Sequence, residues 1–365
     1  MRIRGARSGA FPGALRSRGP ARRRGARSRD ARCADSAGAG RTAPRRREAP
    51  KGPQAIVTGL SAPPRLRHGE RIEVVAPSGP VPHARFERGL RILRRTFGRN
   101  VGVAEQVGAQ AGFLAGDDAM RLSALQRALG ADDAGAVVAA RGGYGATRLL
   151  PRLDPAPLRE HPKIVVGFSD VTALLCWVAT EAGLCSLHGP VVTQLAELAP
   201  SDLDRLTTWL TGEIPPPLAA EEGTSVAGGT VEGPLLPGNL EVLRSLVGTR
   251  FLPSASGCIV ALEEVGEAPY RIDRALTQLL QAGFFRGVRG VVVGDLYRCE
   301  QPEAPPGAPT ARDVVLERLS TLGVPVVTGF GFGHAPGRNA ALPVGARVRL
   351  HADDCILEFL EPVTA

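Results

Sequence analysis

From about residue 69 onward, two rhythms of apolar and polar positions alternate along the chain. Short continuous Val, Ile and Ala runs are followed by longer stretches whose apolar residues recur every three or four positions. The segment "RIEVVAPSGPV" predicts a strand running into a Pro/Gly/Ser turn. In "HARFERGLRILRRTF", Phe86, Leu90, Leu93 and Phe97 fall at helical spacing. A second short strand follows in "VGVAEQV". Asp117 and Asp118 then stand as N-cap and first turn of the helix "AMRLSALQRAL". "AGAVVAA" predicts a buried strand ending at "RGGYG", and "KIVVGF" another ending at Ser169. The helix "VTALLCWVATEAG" comes next and is stopped by Gly183. Continuous apolar strands alternating with amphipathic helices imply a parallel sheet covered on both faces.

The rhythm loosens over 197–232. "APSDLDRLTTWLTG" predicts one short helix, and the Pro/Gly-rich "EIPPPLAAEEGTSVAGG" reads as an interdomain linker. A second α/β unit begins with "PLLPGNLEVLRSLVGT". It continues through strand "GCIVALEE", helix "YRIDRALTQLLQAGF", strand "VRGVVVGD", helix "ARDVVLERLSTL" and strand "VPVVTGF". Two β-rich runs, "ARVRLHA" and "CILEFLE", close it. The expected division is an Arg-rich extension over 1–67, a first domain over 68–196, a linker over 197–232 and a second domain over 233–365.

Charge changes this picture only at one end. The net charge of +9 would ordinarily point to nucleic acid, but residues 1–67 hold 18 Lys and Arg against 3 Asp and Glu. The rest of the chain, with 27 basic and 33 acidic residues, is mildly acidic. The Arg, Ala, Gly, Pro and Ser of 1–67 carry no apolar period, so this segment is expected to be disordered. It lacks the apolar run of a secretory signal. A transit peptide or a basic nucleic-acid arm would share its composition, but an extension without a role of its own is the simplest reading. The six cysteines form no C-x-x-C pair and are expected to be reduced and mostly buried. No run is long enough to span a membrane. The six scattered histidines include no H-E-x-x-H, so neither a metal nor another cofactor is expected.

Four segments carry candidate chemistry. In "VVGFSDVTALL", Ser169 stands directly after a buried strand and before a helix, the setting of a nucleophile elbow; alternatively Ser169 or Asp170 simply caps that helix. The two glycines of "AARGGYGATRLL" leave backbone N–H groups free to meet an anion, though an ordinary glycine turn has the same sequence. Glu263, near the end of the apolar strand in "IVALEEVGEAPYRIDR", needs a partner. A histidine would serve, as would an ion pair with Arg271 or Arg274. His334 lies in the Gly-rich loop "FGFGHAPGRNAALPVG" just past a strand, where an imidazole can be presented or merely exposed. His188, in "CSLHGP", is the rival base or a core histidine. Nucleophile, acid and base would then follow in the order Ser, Glu, His, across two α/β units.

Taken in series, "VVAPSGPV", "RGGYGATRLLPRLD", "KIVVGFSDVTALL", "LHGPVV", "PGNLEVLRSLVGT", "ALEEVGEAPYRIDRALTQL" and "FGFGHAPGRNAALPVG" resemble the LD-carboxypeptidase family. That family includes murein tetrapeptide carboxypeptidases and microcin C immunity peptidases. The likeness runs from about residue 70 to the C-terminus. It implies an N-terminal flavodoxin-like domain, a C-terminal β-rich α/β domain and an active site in the cleft between them. It also implies Ser169 as nucleophile, Glu263 as triad carboxylate and His334 as base. The backbone N–H groups of Asp170 and Gly143 would form the oxyanion hole. Arg141, Asn239 and Arg271 are candidates for holding substrate; Pro237-Gly238-Asn239 departs from the bulky or Gly residue that relatives often carry before Gly-Asn.

The resemblance implies a cytoplasmic homodimer acting on a murein tetrapeptide between its diamino acid and terminal D-Ala, with no membrane or nucleic-acid partner. A detoxifying peptidase acting on peptidyl-nucleotide amides is the alternative within the family. A binding protein without catalysis on the same scaffold, or a nucleic-acid binder acting through the Arg-rich segment, would be alternatives of a different kind.

Overall fold

The computed structural model describes residues 59–365. The strands are β1 Arg71–Val75, β2 Val101–Val103, β3 Ala134–Ala139, β4 Ile164–Gly167, β5 Ser186–His188, β6 Leu218–Ala219, β7 Thr224–Val226, β8 Thr230–Asn239, β9 Ile259–Val265, β10 Gly290–Tyr297, β11 Val326–Thr328, β12 Leu342–Val344, β13 Arg347–His351 and β14 Ile356–Phe359. They form two sheets. The first has the order β12-β5-β4-β3-β1-β2, and its five strands β1 to β5 pair in parallel. This is the flavodoxin-like order that the sequence implies, with its topological reversal between β1 and β3. In the second sheet, β6-β14-β13-β8-β9-β10-β11-β7, a parallel centre from β8 to β11 is flanked by antiparallel strands.

Local chemistry accounts for the elements. The helix His83–Phe97 buries Phe86, Leu90, Leu93 and Phe97, as their spacing requires. Asp117 caps the helix Asp118–Gly130 by accepting the Met120 N–H at 2.8 Å. The helix Thr172–Trp177 runs on through one π turn and ends where Gly183 turns left-handed, at φ 73°.

Three expectations need correction. Residues 60–67 are not part of a loose extension. Ser61 bridges Leu184, the Arg65 N–H donates to the Ala365 carbonyl at 2.8 Å, and the Leu66 N–H donates to the Leu210 carbonyl at 2.8 Å. These partners are distant in sequence, so a local pattern could not reveal them; the expectation for residues 1–58 lies outside the described residues. The 197–232 segment is more than a linker, because it supplies β6 and β7, the two outer strands of the second sheet. Outer strands need partners on one side only and tolerate nearby Pro and Gly. Finally β12, from the C-terminal half, crosses back and pairs antiparallel with β5 of the first sheet.

The apolar interior is likewise shared. Leu174, Leu175 and Trp177 lie in the same buried cluster as Leu243, Ile272 and Leu276. The two parallel sets therefore pack against a common core. That meeting line is where the candidate residues gather.

Candidate active site

Ser169 follows β4 with φ 62°, in the left-handed region, and begins a single 3-10 turn leading into the helix. For a residue with a Cβ this conformation costs about 1–2 kcal/mol. A strained turn between strand and helix lifts the hydroxyl clear of the sheet edge. The capping alternative fails, since neither the turn nor the helix has a side-chain cap. Asp170 instead sends its buried carboxylate across to the loop after β3, where it accepts the Ala146 N–H at 2.8 Å. Burial pushes the Asp170 carboxyl up, opposed by the N–H groups of Ala146 and Gly145 and by Arg121.

That loop carries the glycine pair. A Cβ at Gly142 would lie 2.8 Å from the Ser169 Cβ and 3.0 Å from its Oγ. Only hydrogen fits there, and the turn sits directly on the candidate nucleophile. Gly143 has φ 117°, and among the described residues its N–H donates to no acceptor. The turn is fixed from outside: the Gly79 N–H donates to the Gly142 carbonyl at 3.1 Å, and the buried Arg121 donates to the carbonyls of Gly145 and Pro77. Arg121 gave no signal in the sequence because an arginine in the first turn of a helix reads as an ordinary surface residue.

Across the meeting line, Glu263 is fully buried in β9 and its Oε2 lies 2.6 Å from His334 Nδ1. The ion-pair alternative is thereby answered, since Arg271 turns to Tyr270 and Glu267 instead. His334 packs at a tilt against Phe168, the residue before Ser169, with ring centroids 4.6 Å apart. With Nδ1 held by Glu263, Nε2 is the nitrogen left for a substrate or nucleophile. Ser169 and His334 make no hydrogen bond to one another in this state, as is common where substrate is absent. Burial pulls the His334 pKa down, but Glu263, aided by Glu264 and Asp295, outweighs it and raises the imidazole above its ordinary value.

The loop bearing His334 is pinned on three sides. The Ala335 N–H donates to Asp295 at 3.1 Å, the Gly333 N–H to Asn339 at 3.0 Å, and the Asn339 N–H to Asp202 at 2.8 Å. Asp295, buried in β10 and paired with Arg338, was missed from sequence, because one carboxylate after an apolar run resembles any strand end. A cavity of about 390 Å³ opens beside this loop, with Asp295, Arg298, Arg312, Thr328, Ala335 and Arg338 in its wall.

The substrate-binding candidates fare unequally. Arg141 is half-buried beside the glycine turn and donates to the Pro80 carbonyl. Arg271 lies out on the helix Pro269–Gln281 with its side chain 54% exposed. Asn239 is buried with both amide atoms engaged. Its Oδ1 caps the helix Leu240–Ser245 at Val242, and its Nδ2 donates to Glu264 at 3.0 Å. His188, the rival base, is buried at the end of β5 and does not contact Ser169 through a hydrogen bond.

Comparison with known proteins gives the same family. The LD-carboxypeptidase N-terminal domain profile matches residues 72–189, and the C-terminal domain profile matches residues 232–350. A relative in Synechocystis sp. is 40% identical over 296 residues, covering 81% of this chain and 96% of its own. The murein tetrapeptide carboxypeptidase of Pseudomonas aeruginosa is 32% identical over 295 residues, covering 75% of this chain and 91% of its own. Among solved structures, MccF in complex with glutamyl sulfamoyl guanosine superposes with a TM-score of 0.75 at 22% identity, covering 84% of this chain and 100% of that one. With both domain profiles matched in order and the relatives covered nearly end to end, the chain belongs to the LD-carboxypeptidase family of serine-type peptidases.

Proposed function

We propose that this chain hydrolyses the amide between the diamino acid and the terminal D-Ala of a murein tetrapeptide, with Ser169, His334 and Glu263 as its triad. The observation that carries this reading is the left-handed Ser169, packed under Gly142 and next in sequence to Phe168, against which lies a histidine whose Nδ1 is held by a buried glutamate. His334 Nε2 takes the Ser169 proton as Oγ attacks the substrate carbonyl. The tetrahedral oxyanion is met by the N–H groups of Gly143 and Asp170, each such donor being worth about 3 kcal/mol. His334 then returns the proton to the leaving amine, and water resolves the acyl-enzyme. Glu263 holds the imidazole tautomer and stabilises the imidazolium.

In this reading the nucleophile stands just past the end of β4 in the first sheet, and the acid and base come from β9 and the loop after β11 in the second. The enzyme acts in the cytoplasm as a homodimer. Arg141, at the glycine turn, is the best placed of the three candidates to meet a substrate carboxylate. The mixed charges of the cavity beside His334 fit the polar remainder of a peptide.

The test is mass spectrometry of products from a panel of murein peptides and one acyl-sulfamoyl nucleotide. Loss of D-Ala from the tetrapeptide is expected, with Ser169→Ala folded but inactive. Turnover retained by Ser169→Ala would refute the nucleophile. Cleavage of the nucleotide amide alone would replace the substrate.

A further inference from the structure

His188 is a buried imidazole without a task in the mechanism above. Its residue is fully buried at the end of β5, in register with Gly167, two residues before Ser169. Phe168 and Phe332 flank its ring edge-on, with centroids at 6.0 and 6.3 Å. Phe168 also packs against His334, so one ring touches both imidazoles. Neither ring nitrogen of His188 has a protein partner, and Glu263, near enough to act on His188 electrostatically, has an unpartnered Oε1. An unpartnered buried polar atom costs about 1–3 kcal/mol, so three such atoms at one site call for a shared partner. A polar pocket able to offer several hydrogen bonds is where a buried water belongs.

We propose that His188 is a positioning residue for the triad: its neutral imidazole holds one buried water against Glu263 Oε1, completing the hydrogen bonding of the carboxylate that orients His334. The neutral form follows from its surroundings. Burial drives its pKa down to about 4, with Glu263 pulling it up and His334 down. A neutral partner leaves the Glu263 charge directed at His334, where a cation would compete with the imidazolium. The charged groups facing His334 are Glu263 and Glu264 from β9 and Asp295, paired with Arg338, from β10. Asp170, on the Ser169 side, is turned toward the glycine turn. Removing the donor to Oε1 makes Glu263 the stronger base, which raises the pKa of His334.

Two substitutions separate positioning from packing. His188→Phe keeps an aromatic ring, somewhat larger than the imidazole, and removes the hydrogen-bonding nitrogens. His188→Asn keeps a donor and acceptor and loses volume. The His334 titration, followed by imidazole ¹⁵N NMR, needs no substrate and stands whatever the enzyme cleaves. For His188→Phe we expect the His334 pKa to rise by about half a unit or more. The Nδ1 proton resonance should move downfield, and kcat on the tetrapeptide should fall about tenfold or more with KM little changed. His188→Asn should keep the wild-type titration despite a lower Tm. An unchanged His334 titration in His188→Phe, with only His188→Asn impaired, overturns the proposal. If the Phe variant does not fold, His188→Leu takes its place with the same expected and refuting results.

Discussion

Substituting Gly142 by Ala tests the site with a single methyl group. The backbone at Gly142 is not left-handed, so alanine meets no conformational barrier there. The added carbon would lie 2.8 Å from Ser169 Cβ, 3.0 Å from Ser169 Oγ and 3.3 Å from the Phe168 carbonyl oxygen. Ordinary contacts of a Cβ begin near 3.4 Å. Relief cannot come from a flexible side-chain end, since the closest atom is Ser169 Cβ, fixed to a strained backbone. Either Ser169 or the glycine turn must move by roughly 0.5 Å or more, and such overpacking costs about 1–3 kcal/mol. Since these are the proposed nucleophile and oxyanion donors, kcat/KM should fall about 100-fold, the scale of a small misplacement at a reacting centre. The assay is tetrapeptide turnover together with the rate at which a fluorophosphonate labels Ser169. Gly108→Ala is the control, because its Cβ would meet nothing within 4 Å. Turnover and labelling of Gly142→Ala within threefold of wild type would refute the contact argument and, with it, the assignment of the turn to the oxyanion hole.

Further outcomes follow from the buried acids. The acid limb of kcat/KM should lie above the ordinary histidine pKa, since His334 must be neutral to accept a proton and its pKa is raised. Glu263→Gln should move that limb to lower pH while cutting kcat by about 10³–10⁴, as read from pH–rate profiles. The stabilisation from the Glu263–His334 pair is fully present below the unfolded-state histidine pKa and is lost as pH rises through the raised folded value. Thermal scans should therefore show this contribution greatest where activity is least. Asn239→Ala removes a helix cap and one donor to the buried Glu264, whose pKa burial already pushes up to about 7, with Glu263 adding to the rise. Urea denaturation should show a loss of about 2 kcal/mol. Unchanged stability with a raised KM would instead make Asn239 a substrate contact.

The regular elements were legible because each is written locally. The helical spacing of Phe86 to Phe97, the Asp117 cap and the Gly183 stop all sit within one or two turns of what they control. Ser169, Glu263 and His334 drew notice as candidates for a related reason: Ser169 directly follows an apolar strand, Glu263 lies near the end of one, and His334 is in the loop after one. The pairing of Glu263 with His334 was not written locally; it was expected only through a resemblance spread over seven segments. What stayed hidden depends on distant partners. Examples are Ala365 binding residue 65, β12 returning to β5, Arg121 clamping two loops, and Asn239 capping a helix while holding Glu264. The orphaned nitrogens of His188 belong here too, because a lone histidine after a strand reads the same whether its ring is satisfied or not.

Ser169 and His334 share no hydrogen bond among the described residues, so the proposed proton transfer asks for a movement, and the packing narrows the choice. A hinge between the halves is poorly supported. The Asn239 N–H donates to Thr172 Oγ1 at 3.1 Å, β12 ties the C-terminal half into the first sheet, and the apolar cluster is continuous across the meeting line. Opening there would expose buried Leu, Ile and Trp surface at about 25 cal/mol per Å². The His334 loop is no freer, being held by Asp295, Asn339 and Asp202. The mobile part left is the Ser169 side chain. A change of χ1 rotamer swings its Oγ by roughly 2 Å and is cheap beside any of these motions. On the proposed mechanism, catalysis therefore asks for a hydroxyl that turns toward a fixed imidazole, with Ser169 packed under the same glycine turn that is proposed to receive the oxyanion.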